Sequence, residues 1–331
     1  MKLSDLPLTE YSREEGLIAP DFEGLPLRLP RRCLMAFLGE KRIAAFAESR
    51  KGKVIGSFLS LTKPFPLYEI PGKEPLLLVQ APAGAPSAVL IEERLFAYGA
   101  EKVLAIGCCG SLIDIPENCF FPIEKALRDE GTSFHYLPPS RFIEMDKAPL
   151  LHLKDYFKKK GLPFRPAATW TSDGFFRETE EKIRRRREEG CTLVDMEASA
   201  LAACARFRKK EFAEIMFTAD TLASLAHDQR RWGRESRNAA LIMGMEALEE
   251  ILGAASQPRV QRVPLFYYLP AGSAVPPSLI VPPLKRGEGG AAGTKGGGLA
   301  EPGKRGPVQG IQRVQRERWT APAEPRVLKV L

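Results

Sequence analysis

The sequence predicts an α/β protein with a largely buried parallel or mixed sheet, and three observations carry that expectation. Short apolar runs alternate with helical patterns over residues 34–253, the order that lays helices over the faces of a sheet. Lys102-Val103-Leu104-Ala105-Ile106 reads as a strand and runs straight into Gly107-Cys108-Cys109-Gly110-Ser111. Ahead of it, Pro75–Gln80 leads through Gly84-Ala85-Pro86 into apolar residues at helical spacing from Ser87 to Phe96. Strand, glycine turn, helix and strand follow one another.

The remaining elements extend that order. Residues 1–32 are rich in proline and charge and read as an irregular arm, so the folded domain is placed at 33–253. Leu34–Leu38 is the first strand, followed by a charged stretch from Glu40 to Lys53. Ser87 is suited to capping the helix it opens. Helices are expected over Leu150–Lys160, Glu178–Glu189, Glu197–Phe207 and Asn238–Leu252, the last stopped by Gly253. Ile215–Thr218 is a short strand. Arg184–Arg187, flanked by glutamates, reads as a solvated helix face rather than a phosphate or RNA site.

Composition changes after Gly253. Residues 254–331 hold 11 Gly and 11 Pro, too little apolar surface to offset the entropy of ordering, so a disordered tail is expected. The same segment holds 12 Lys+Arg against 4 Asp+Glu, a balance of +8 that equals the net charge of the whole chain. The domain itself is neutral, and the basic excess is no sign of nucleic-acid binding by it. A partner for the tail is left open.

The six cysteines show no C-x-x-C spacing, and Cys108 and Cys109 are adjacent, which suits neither a zinc knuckle nor a structural disulfide. Free thiols are expected, as are no metal, no membrane span and a cytoplasmic location, the N-terminus lacking an apolar leader.

Several stretches, in order, resemble the purine-nucleoside/uridine phosphorylase family. They are Gly84–Ala88 with Glu92-Glu93, Ile106–Leu112, Arg128–Tyr136, Thr171–Phe176, Val194-Asp195-Met196-Glu197-Ala198-Ser199-Ala200, and Asp220. The resemblance implies a three-layer α/β/α sandwich with a central mixed sheet. It also implies a dimer or a hexamer of dimers, cleavage of a nucleoside N-glycosidic bond, and inorganic phosphate as co-substrate without a cofactor.

Such cleavage passes through an oxocarbenium-like ribose, so the site must hold the ribose hydroxyls, place a nucleophile and help the base depart. On residue chemistry alone Glu197 is equally a ribose-holding carboxylate or a helix-start acid favoured by the dipole; the resemblance assigns it to ribose, with Met196 beneath the sugar and Asp195, Cys109 and Gly110 also contacting substrate. Phe175 matches the aromatic that borders the base, its alternative being plain core. Asp220 matches the acid that protonates a purine leaving group, its alternative being a surface acid. Gly39, Arg42, Gly107 and Cys108 fall at the phosphate positions.

Departures from the family pattern bear on specificity. Uridine-specific members carry a Gln and an Arg where this chain has Thr179 and Glu181, which favours a purine nucleoside. At the phosphate loop an Arg and a Ser or Thr are replaced by Ala105 and Cys108, removing a bidentate contact and weakening a donor. Three alternatives therefore stand beside purine phosphorolysis: a nucleosidase using water, a uridine phosphorylase with an altered base site, and an inactive nucleotide-binding protein.

Overall fold

Period-two burial along the strands sets the layers. The computed structural model describes residues 6–60 and 62–251, and the expected tail at 254–331 lies outside them. In β1 (Arg32–Ala36), Cys33 and Met35 face one apolar cluster while Leu34 and Ala36 face another. In β4 (Leu76–Gln80), Leu77 and Val79 face the first cluster, Leu76 and Leu78 the second. A strand apolar on both faces must be covered on both. Helices α2 (Ala85–Ala97) and α5 (Ala198–Phe207) pack on the first side; α1 (Glu40–Ser49), α3 (Lys147–Lys159) and α6 (Ser236–Ile251) pack on the second. The expected helix–sheet–helix layering is thus present.

The mixed sheet also contains β2 (Lys53–Leu59), β3 (Pro64–Ile70), β5 (Lys102–Ser111), β6 (Phe120–Asp129), β7 (Phe142–Glu144), β8 (Ala167–Ser172), β9 (Leu193–Asp195) and β10 (Glu211–Thr221). Its order is β10-β6-β8-β9-β5-β1-β4-β3-β2, with β7 on β6, and β10 pairs β5 as well. Five strands therefore close into a ring, so β10 is not left as a sheet edge. Helix α4 (Glu180–Glu188) covers that ring through Ile183, packed with Trp170, Leu127 and Val194.

Several expectations shift. The charged stretch after Leu38 is α1, whose Ile43 and Ala47 supply an apolar stripe. Helix α2 begins at Ala85, not Ser87: Gly84 occupies its N-cap at φ 91 and no side chain caps it. The expected glycine loop at 107–111 is strand, paired with β10 and then β9. The strand at Ile215–Thr218 is longer and takes in Asp220. Of the four consecutive arginines, Arg184 and Arg185 are exposed, but Arg186 is buried against Asp129 and Glu189. Arg187 donates to the carbonyls of Leu222 and Ala223, so half of that run docks α4 rather than facing water.

Candidate active site

The site forms where β8 and β9 end side by side, next to the last residues of β5 and β10. On its β1 side, β5 is paired as far as Ile106 and again from Gly110, which leaves that edge open over residues 107–109. On the other side the β5–β10 register shifts between Thr218 and Thr221; a bulge of this kind re-aims a side chain, and the one re-aimed is Asp220.

Asp195 closes β9 and organises the next turn. Its Oδ1 accepts from the hydroxyls of Thr169 and Thr171 at 2.8 and 2.9 Å. Its Oδ2 accepts from the backbone N–H groups of Glu197 and Ala198 at 2.7 and 2.6 Å. Burial pushes its pKa up and these four donors pull it back. With four donors from within the protein on its carboxylate, Asp195 holds the start of α5.

Glu197 is the N-cap of α5 at φ −137, yet its side chain does not cap the helix. Its Oε1 instead accepts from the Gly84 N–H at 2.5 Å, so the helix-start alternative accounts for its place in the chain but not for its direction. Burial first, then the Asp195 charge, push its pKa up to about 8. Behind it, Ser199 Oγ donates to Glu130 Oε1 at 2.8 Å, and Glu130 Oε2 accepts from the Ser133 N–H at 2.9 Å.

Gly110 is required by close approach. A Cβ there would collide with Val194 Cγ1 at 2.8 Å and touch Asp220 Oδ1 at 3.4 Å. The thiol of Cys109 is buried and faces the Phe217 carbonyl at 3.6 Å, because alternation along β5 points it into the core, so any contact of Cys109 with substrate falls to its backbone. Cys108 points the other way and is exposed. Its pKa is pushed up by surrounding protein, lowered by Arg237, and raised again by Asp220 and Glu197, which places all three charges around it.

Gly39 caps the start of α1 and Arg42 lies one turn in. Arg42 donates to Asn238, and the two line one cleft with Gly39 and Arg237. Arg237 was not singled out from the sequence, where only its position at the start of a helix marked it. Phe175 is 39% exposed, which argues against the plain-core alternative. Its ring meets that of His227, whose Nε2 lies 3.1 Å from Asp220 Oδ2. Glu178, next after the short 3-10 turn Phe175–Arg177, is a second residue missed: burial and the charges of Asp220 and Asp195 push its pKa up to about 7. Thr179 caps α4 by accepting from the Lys182 N–H, and Glu181 is exposed. Among the described residues no His/Cys/Asp/Glu group of three has the spacing of a metal site, and no helix is long and apolar enough to cross a membrane.

Known proteins share this fold. The Phosphorylase superfamily model matches residues 31–254. A DeoD-type purine nucleoside phosphorylase of Bacillus cytotoxicus is 26% identical over 126 residues, 36% of this chain and 52% of that protein; the chain spans about half the length of the curated relatives it matches. A uridine phosphorylase from Vibrio fischeri superposes with TM-score 0.57 at 21% identity, over 67% of this chain and 92% of the other. An AMP nucleosidase from Bacteroides thetaiotaomicron superposes with TM-score 0.55 at 19% identity, over 67% and 88%. With an Asp-Met-Glu turn opening α5 and a family match over most of the folded domain, the chain belongs to the phosphorylase superfamily.

Proposed function

We propose that this chain cleaves the N-glycosidic bond of a purine nucleoside with inorganic phosphate, giving free base and ribose 1-phosphate without a cofactor. The observation that carries the reading is the placement of two acids about Gly110 and Gly84: Asp220 packed over the first, Glu197 bound to the N–H of the second. Glu197 accepts from the ribose hydroxyls, which favour its ionised form, and Met196 lies under the sugar. Phe175 borders the base. Asp220 gives a proton to the purine, making it a better leaving group. Arg42 and Arg237, which share a cleft with Gly39, attract the phosphate together with Gly107 and Cys108, and the open edge of β5 over residues 107–109 offers backbone donors.

Hydrolysis is the second reading, favoured by Ala105 and Cys108, which leave those two positions without a guanidinium or hydroxyl. A homo-oligomer, a cytoplasmic location and preference for purine over uridine belong to the same proposal. Base release from inosine, guanosine, adenosine and uridine, with phosphate present, tests it. Purines are expected to be cleaved faster, and a clear preference for uridine contradicts the assignment of Asp220.

A further inference from the structure

The segment joining β10 to α6 carries a side chain with no part in the reaction as described so far. His227 Nε2 lies 3.1 Å from Asp220 Oδ2, close enough for a proton to pass between the ring nitrogen and the carboxyl. The Asp220 side chain is 10% exposed and that of His227 is 44% exposed, so the imidazole connects a nearly buried carboxyl to solvent. The ring is flanked by Phe175 at 6.5 Å and Trp232 at 5.7 Å between centroids.

This placement is fixed from several directions. Thr221 and Asp228 exchange backbone hydrogen bonds at 2.9 and 3.0 Å, which pins the neighbour of His227 onto the neighbour of Asp220. Arg187 holds the carbonyls of Leu222 and Ala223, and Glu117 Oε1 accepts from the N–H groups of Arg231 and Gly233 at 3.1 and 2.7 Å. Three non-glycine residues of the segment, Leu225, Arg230 and Trp232, take φ of 63°, 46° and 56°, a region such residues seldom occupy and one that persists only where its surroundings over-determine it. The chain is bent out of its preferred conformations to set this imidazole on this acid.

We propose that His227 is the proton-supplying positioning residue of the site, reloading Asp220 in each turnover; the inference rests on the purine-nucleoside reading above. As the C1′–N9 bond breaks, its electron pair stays on the base and a phosphate oxygen bonds C1′. The proton of Asp220 goes to the purine N7. The carboxylate left behind takes a proton from the imidazolium of His227, and the neutral imidazole takes one from solvent. Imidazole suits this traffic because it exchanges protons near neutral pH.

Steady-state kinetics of wild type, His227→Gln and His227→Ala test this, with inosine and with p-nitrophenyl β-D-ribofuranoside, whose phenolate departs without a proton. Gln keeps a donor to Asp220 but has no proton to pass on. Both variants are expected to lose roughly 10²-fold in kcat on inosine, the low end for a positioned acid, with KM little changed and aryl-riboside turnover retained. Added imidazole should restore part of the inosine kcat to the Ala variant. Wild-type kcat in His227→Gln, or an equal loss on both substrates, overturns the inference while leaving the function standing. No base release by the wild-type protein overturns the function and this inference with it.

Discussion

The Glu197 carboxylate accepts a hydrogen bond from the Gly84 backbone N–H at 2.5 Å, joining the first residues of two helices that lie 113 positions apart in the chain. Glu197 stands at the N-cap of α5 without capping it, and Gly84 stands at the N-cap of α2 at φ 91. On the proposed function, the carboxylate held by this contact is the one that receives the ribose hydroxyls.

Replacing Glu197 by Ala is expected to abolish base release while leaving the fold intact. The loss should exceed about 100-fold, the scale of roughly 3 kcal/mol of transition-state binding. Turnover assays with circular dichroism check both halves, and wild-type turnover in the variant removes Glu197 from the site.

Stability should report the same carboxyl. Glutamate ordinarily titrates at 4.5, and in the fold Glu197 is pushed up to about 8. Below the lower value it is protonated in both folded and unfolded chains. Between the two the folded chain keeps a proton that the unfolded chain has released, so stability falls as pH rises and the loss is complete above the upper value. Glu178, pushed up to about 7, acts in the same direction. Glu197→Gln cannot ionise, so its Tm should gain on that of wild type between about pH 5 and about pH 8.5. Thermal melts at several pH values check this, and a gap independent of pH contradicts it.

Gly110→Ala should destabilise the protein and slow it together. Its methyl group would sit 2.8 Å from Val194 Cγ1 and 3.4 Å from Asp220 Oδ1, a crowding that costs about 1–3 kcal/mol in a packed interior. Urea unfolding measures the first effect and inosine turnover the second; an unchanged midpoint contradicts the packing described.

Asp220→Asn should depress purine turnover by about 10²-fold or more, since a positioned acid contributes at least that much. Uridine offers no matching nitrogen, so its slower turnover should change little. Parallel assays on the two nucleosides decide the point.

Much of this was legible in the sequence where the signal is local. The strand into Gly107, the helix after Gly84 and the helix from the Asp-Met-Glu segment are each contiguous, and each is present with its ends moved by a few residues at most. What escaped depends on pairing between distant segments. The closed ring of five strands needs β10 to pair with β5 and β6 together, which no single segment encodes. Cys109 is carried into the core by an alternation that became visible only when 107–111 proved to be strand. Arg186 and Arg187 look like their exposed neighbours until Asp129 and the Leu222 carbonyl are placed beside them. His227, Glu178 and Arg237 join the site through loop and helix placement, and no motif surrounds any of them.

The central claim is tested most directly by following hypoxanthine release from inosine as phosphate is titrated, with the sugar product identified by phosphorus NMR. Release that saturates with phosphate and yields ribose 1-phosphate is the predicted result. Release at the same rate without phosphate, with free ribose as product, would contradict phosphorolysis and assign the site to water.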